Sequence, residues 1–179
     1  MAIGGVGVIV LAVGLALFQP WKLFLNVEVD EAIPVASGPA PTDSAADATG
    51  PSVPTSPEGA GTTTTVAPGP VTLSVGAFVS HDHPTAGTAK VLEVDGQQFV
   101  RFEDLVTDNG PDLIVVLSRN EASSPDVGDD YLDLGALKGN IGNQNYEIPE
   151  GVDVADYRSV AVWCRRFSVS FGAAPLELG

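Results

Sequence analysis

The sequence predicts an all-β domain, an antiparallel β-sandwich or barrel, preceded by a single N-terminal transmembrane helix and a disordered tether. Three observations predict the β domain. From Val71 onward, short alternating or apolar runs recur every 8–12 residues between turn residues. Asp95-Gly96, the preferred two-residue hairpin turn, separates two such runs. No stretch of this region sustains a helical period.

The strands follow in order. Val71-Thr72-Leu73-Ser74-Val75 alternates at period two, as a half-buried strand does. Ala89 to Val94 and Gln97 to Phe102 are the arms of the Asp95-Gly96 hairpin. Asn109-Gly110-Pro111 is a turn, and Leu113 to Leu117, apolar on both faces, reads as a central strand. Tyr146-Glu147-Ile148 ends at Pro149, and a helical turn is expected around Val152 to Tyr157. Ser159 to Phe171 is the longest strand-like segment. Phe167, Val169 and Phe171 share one face, which alternation extends to Trp163 and Arg165, leaving Cys164 and Arg166 on the other. A cysteine where core and charge meet predicts a β-bulge at Cys164-Arg165-Arg166.

Two segments precede this domain. Residues 1–25 read as a membrane anchor: Met1 to Phe18 carries no charge and would span roughly 27 Å as a helix. Trp21 and Lys22 follow as interfacial residues. A cleaved signal peptide would need a basic start, a shorter apolar region and a small-x-small site, and none is clear. The anchor implies contact with membrane lipid. Within the juxtamembrane segment and linker of residues 26–70, 29 of the 34 residues from Ser37 to Pro70 are Pro, Thr, Ala, Gly or Ser. Such a chain cannot bury enough apolar surface to offset its ordering entropy, so a disordered tether is expected, about 30 Å across as a coil. Tethers of this composition hold domains off the outer face of a membrane, which places residues 71–179 outside the cytoplasm.

Charge and composition narrow the function. With 8 basic and 23 acidic residues the net charge is −15, which excludes nucleic acid as a partner. A single Cys rules out a disulfide scaffold, a Cys-rich zinc site and Cys-x-x-Cys-His haem attachment. No phosphate loop, dinucleotide fingerprint, nucleophile elbow or His-Glu-x-x-His occurs.

Three places could carry chemistry. Arg165 and Arg166 flank the lone thiol of Cys164, and neighbouring cations favour the reactive thiolate. Equally, a lone Cys beside Trp163 is a small buried hydrophobe. His81-Asp82-His83 puts both histidines on one side of an extended strand, a spacing used for metals. With Cys164 they are the ligand set of a cupredoxin-like copper site, although the weak axial Met is missing. Asp126-Val127-Gly128-Asp129-Asp130 with Asp133 does not match a calcium loop and reads as a solvated acidic loop.

A family resemblance runs through the same residues. Gly76-x-Phe78, His83-Pro84-Thr85-Ala86-Gly87-Thr88, Gly110-Pro111-Asp112-Leu113, and Leu134-Gly135-x-Leu137-Lys138-Gly139-Asn140 resemble the DM-thirteen domain. Tyr157-x-Ser159-Val160-x-Val162-Trp163-Cys164-Arg165-x-Phe167 is the most specific part. The likeness covers Leu73 to Leu176, and the chain looks like a membrane-anchored bacterial member. The resemblance implies an extracellular β domain with a redox or electron-transfer role at its Trp-Cys centre, as a bare thiol or by holding a prosthetic group such as haem. It matches Cys164 and His83 to the family pattern and gives His81 no counterpart.

Together these readings predict a membrane-anchored extracytoplasmic domain in which Cys164 does redox or cofactor work, with haem, copper or no cofactor. Arg165 and Arg166 would lower the thiol pKa or pair with haem propionates, and Trp163 would shield the site or offer a stacking face. It would be an electron carrier serving a redox partner protein, not a turnover enzyme. The competing reading is a cell-surface interaction module with Cys164 as core.

Overall fold

The computed structural model describes residues 25–35 and 69–177. The expected N-terminal helix and the Pro/Thr-rich tether lie outside these residues. Among the described residues no helix is long and apolar enough to cross a membrane. The described chain is all-β, with one 3-10 turn at Val154–Asp156 where a helical turn was expected.

Among the described residues ten strands form two five-stranded sheets. The first contains β1 (Glu28–Asp30), β8 (Ile141–Glu147), β5 (Gln97–Thr107), β4 (Thr85–Val94) and β2 (Val71–Ala77), in that spatial order. The second contains β3 (Val79–Ser80), β10 (Val169–Pro175), β9 (Ser159–Cys164), β6 (Leu113–Ser118) and β7 (Leu132–Ala136). All pairings are antiparallel except β1 with β8, which is parallel. The fold is a sandwich.

The local rules read from sequence explain most elements. Asp95 (φ 50°) and Gly96 (φ 81°) both take the left-handed conformation that a two-residue hairpin requires, and they join β4 to β5. Every residue of β6 is buried, because its two faces meet two different cores. Leu113, Val115 and Leu117 join the main core with Val91, Val100 and Phe102 of the opposite sheet. Ile114 and Val116 join Ala161 and Trp163 in a smaller cluster, covered by Ala122, Val127 and Tyr131 of the β6–β7 connection. β9 alternates in the same way, Val160, Val162 and Cys164 facing the main core.

Two expectations change. Ser159 to Phe171 is two strands, because Arg165–Ser168 form a turn, with Ser168 at φ 51°, that pairs Cys164 with Val169. The bulge expected at Cys164-Arg165-Arg166 is this turn, and the register shift falls between Ser170 and Gly172. Phe167 therefore leaves the face of Phe171: it is 53% exposed at the turn, while Phe171 is buried in the main core. Charged residues that need water and a Ser able to take positive φ end the strand where periodicity alone would continue it.

Glu28–Asp30, from the segment ahead of the tether, is also part of the first sheet, with Val29 opposite Gly142. Close approach requires glycine on the receiving strand: a Cβ at Gly142 would lie 2.1 Å from the Val29 carbonyl oxygen. Side chains then fasten the strand. Buried Asn140 accepts from the Val27 N–H (2.7 Å) and donates to the Thr107 carbonyl (2.8 Å). Lys138 Nζ pairs with Glu31 (2.7 Å), and Arg101 Nη1 donates to the Glu31 carbonyl (3.0 Å).

Candidate functional site

The β9–β10 hairpin carries the lone thiol. Strand alternation turns Trp163 and Cys164 to opposite faces of the second sheet. Cys164 has no solvent-accessible surface and sits in the main core, with Leu113 of β6 and Val169 of β10 as its strand partners. Trp163, 8% exposed, lies on the outer face. It floors a cleft of about 700 Å³ with Tyr131, Arg165 and Ser168, rimmed by Asp126 and Asp129.

The expected cationic environment of the thiol is absent on the Arg165 side. The Arg165 N–H donates to the Asp112 carbonyl (3.1 Å). Its guanidinium donates to Asp112 Oδ1 and to Asp133 Oδ2, both at 3.1 Å. The hydrogen bond to Asp112, with its charge and that of Asp133, raises the Arg165 pKa. These carboxylates offset the guanidinium charge beside Cys164. Arg166 is exposed in the turn beside it.

The histidines lie in the loop between β3 and β4 and have separate partners. His81 Nε2 is 2.9 Å from the Ala122 carbonyl, which can only accept. In the neutral ring Nε2 therefore carries the proton, and Nδ1 accepts from Ser170 Oγ at 2.7 Å. Both ring nitrogens of His81 are thus engaged in fastening the β6–β7 connection to β10. His83 Nδ1 meets Asp108 Oδ2 at 2.9 Å, and its ring stacks on Phe171 with centroids 3.7 Å apart and planes 23° apart. Phe171 belongs to the same core as Cys164.

These positions decide whether the expected cofactors fit. Haem or copper held by Cys164 needs the sulfur on a cavity wall and further ligands converging on the same point. The Cys164 sulfur is sealed, and it lines neither the Trp163 cleft nor the neighbouring one of about 410 Å³ lined by Leu25, Val27, Asp112, Leu113 and Lys138. Among the described residues no three His, Cys, Asp or Glu side chains are grouped to hold a metal. The arrangement of Cys164, His81 and His83 does not fit haem or copper bound through the thiol. Arg165, held by two aspartates, likewise does not present a propionate site.

What the residues do form is a sealed thiol next in the strand to a buried indole, 8% exposed, that borders the cleft on the other face of the sheet. Of the residues the sequence singles out, Trp163 and Arg165 share the cleft, while Cys164, His81 and His83 lie off it and Arg166 is in the adjoining turn. Sequence reasoning missed Tyr131, Asp108 and the ion-pair role of Asp112 and Asp133, whose partners are remote in the chain. The acidic loop singled out in the sequence is the rim of the Trp163 cleft.

Comparison with known families agrees with the residues that carry the resemblance. The family model described as electron transfer DM13 matches residues 77–176, from the end of β2 to just past β10. No curated protein and no solved structure matches the chain.

Proposed function

Because the chain belongs to the electron transfer DM13 family, we propose that it is a membrane-anchored, extracytoplasmic electron carrier that works with bare side chains. Cys164 is the group that changes oxidation state, and Trp163 is its contact with the surface. The observation that carries this reading is the Trp163–Cys164 step of β9, where one residue is sealed in the core and the next floors an open cleft. The thiol gives one electron through the indole to an oxidised partner protein and releases its S–H proton. A reduced partner returns the electron, and solvent returns the proton. Asp126 and Asp129 at the cleft rim favour a partner with a basic docking face. The encounter suits the small, transient interfaces of electron-transfer pairs.

The test uses the purified full chain in detergent. Its visible spectrum is recorded alone and after adding haem or copper, followed by voltammetry of the wild type, Cys164→Ala and Trp163→Phe. The expected result is a colourless protein with a one-electron wave that Cys164→Ala abolishes and Trp163→Phe slows. A wave unchanged in Cys164→Ala overturns the assignment. The complete burial of Cys164 favours a second reading, a surface interaction module in which the thiol only packs. That reading predicts no wave in the wild type and unaltered partner binding in Cys164→Ala.

A further inference from the structure

We infer that the Cys164 end of the sandwich faces the lipid surface, held there by strand β1. The inference rests on the membrane-anchor part of the proposed function. Strand directions fix which residues share an end. β1 enters at its Leu25 side beside Ile141, the first residue of β8, and Ile141 pairs with Val106 near the end of β5. Thr107 at that end pairs with Thr85, the first residue of β4. In the other sheet, Leu113 begins β6 opposite Cys164, the last residue of β9. The 410 Å³ cleft joins the two sheets there, since Leu25, Val27 and Lys138 share it with Asp112 and Leu113. Leu25, the His81–Pro84 loop, the Asn109–Asp112 turn and the Arg165–Ser168 turn therefore lie at one end.

The length of chain ahead of Leu25 decides the orientation. Seven peptide steps separate Phe18, the last residue of the apolar run, from Leu25. Fully extended they reach about 25 Å. The ten-residue strand β4 spans about 30 Å between the two ends of its sheet. Leu25 is fixed at the Cys164 end by Asn109 Nδ2, which donates to its carbonyl at 2.8 Å, so the far end cannot be turned onto the bilayer. At the near end Leu25, Val27, Val106 and Phe167 are 45–56% exposed. Exposed Val71, opposite Glu93, lies toward the far end, and the near end also carries exposed Asp82 and Asp108, so the length of chain and not the character of the surface sets the orientation. The Pro/Thr-rich stretch then joins β1 at one edge of a sheet to β2 at the other, and does not set the distance from the membrane. A redox partner for Cys164 would be met at or in the bilayer.

The full chain is reconstituted in phosphatidylcholine vesicles with the photocrosslinker p-benzoylphenylalanine in place of Phe167 or, in a second protein, Glu150. Both positions are exposed turn residues outside the core, and neither takes a positive φ. After flotation and irradiation, lipid adducts are read by mass spectrometry. Adducts at position 167 and none at 150 are expected. Adducts at 150 equal to or exceeding those at 167, or none at 167 in vesicle-bound protein, overturn the orientation and leave the anchor standing. A chain that does not float with the vesicles overturns the anchor reading itself, and the orientation with it.

Discussion

One peptide bond separates Cys164, without solvent-accessible surface, from Arg165, whose side chain is 48% exposed. The thiol is therefore enclosed by packing and not screened by its neighbour's charge. Replacing it tests how tightly the core fits. Cys164→Ala leaves a small void between Leu113 and Val169 and should cost about 1–2 kcal/mol. Cys164→Ser should cost at least as much, because a hydroxyl buried among apolar groups without a partner carries a desolvation penalty. Urea unfolding at constant m-value measures both. A serine variant as stable as wild type would mean that a polar partner or water reaches the site. The sequence shows the thiol, the indole and the arginines, and strand alternation correctly separates Trp163 from Cys164. It cannot show that Asp112 and Asp133 hold Arg165, because those contacts cross 53 and 32 residues. Phe167 misleads for a related reason: it continues the period of Val169 and Phe171 across a turn that only the pairing of Cys164 with Val169 reveals.

At the scale of elements, local chemistry is legible where one segment suffices. The Asp95-Gly96 hairpin and the two-faced β6 follow from turn preference and from an unbroken apolar run. Strand β1 is not legible, because three residues, Glu28-Val29-Asp30, carry no apolar alternation. Their pairing comes from the receiving strand, through Gly142 and Asn140. Glu31 makes this strand pH-sensitive. Burial pushes its carboxyl pKa up, but hydrogen bonds from Lys138 and the Asn145 N–H, with the charges of Lys138 and Arg101, outweigh this and hold it below 4.5. A carboxylate with a lowered folded pKa stabilises the fold above its unfolded value, and that contribution disappears as pH falls through the folded one. Below about pH 4.5, β1 should loosen before the rest of the sandwich. Hydrogen exchange, corrected for its intrinsic pH dependence, should show this first at the Glu31 amide, which donates to the Asn143 carbonyl at 2.8 Å. Glu31→Gln should weaken that amide at neutral pH and flatten its response to acid. An unchanged response in the variant would assign the transition to another carboxylate.

For the whole molecule, the position of β1 predicts what truncation does. The family match begins at residue 77 and the regular alternation at Val71, so residues 71–179 look complete on sequence grounds. A chain cut to those residues would lack the strand that covers the outer edge of β8. Without it, Asn140 loses the Val27 N–H, and Lys138 and Asn145 lose Glu31. The backbone of Ile141 to Asn143 becomes an open edge, the arrangement that invites pairing with another chain. The domain retains 7 basic and 17 acidic residues, so charge repulsion opposes that pairing at low salt and is screened at high salt. Residues 71–179 should therefore unfold at a lower temperature than residues 25–179, and should self-associate as ionic strength rises. Differential scanning calorimetry and analytical ultracentrifugation over a salt series measure the two effects. A peptide of residues 25–35 added in trans should reverse both, because its binding supplies the missing strand and stabilises the folded state by mass action. Equal melting temperatures for the two lengths, with no response to the peptide, would mean that β1 contributes nothing to the fold.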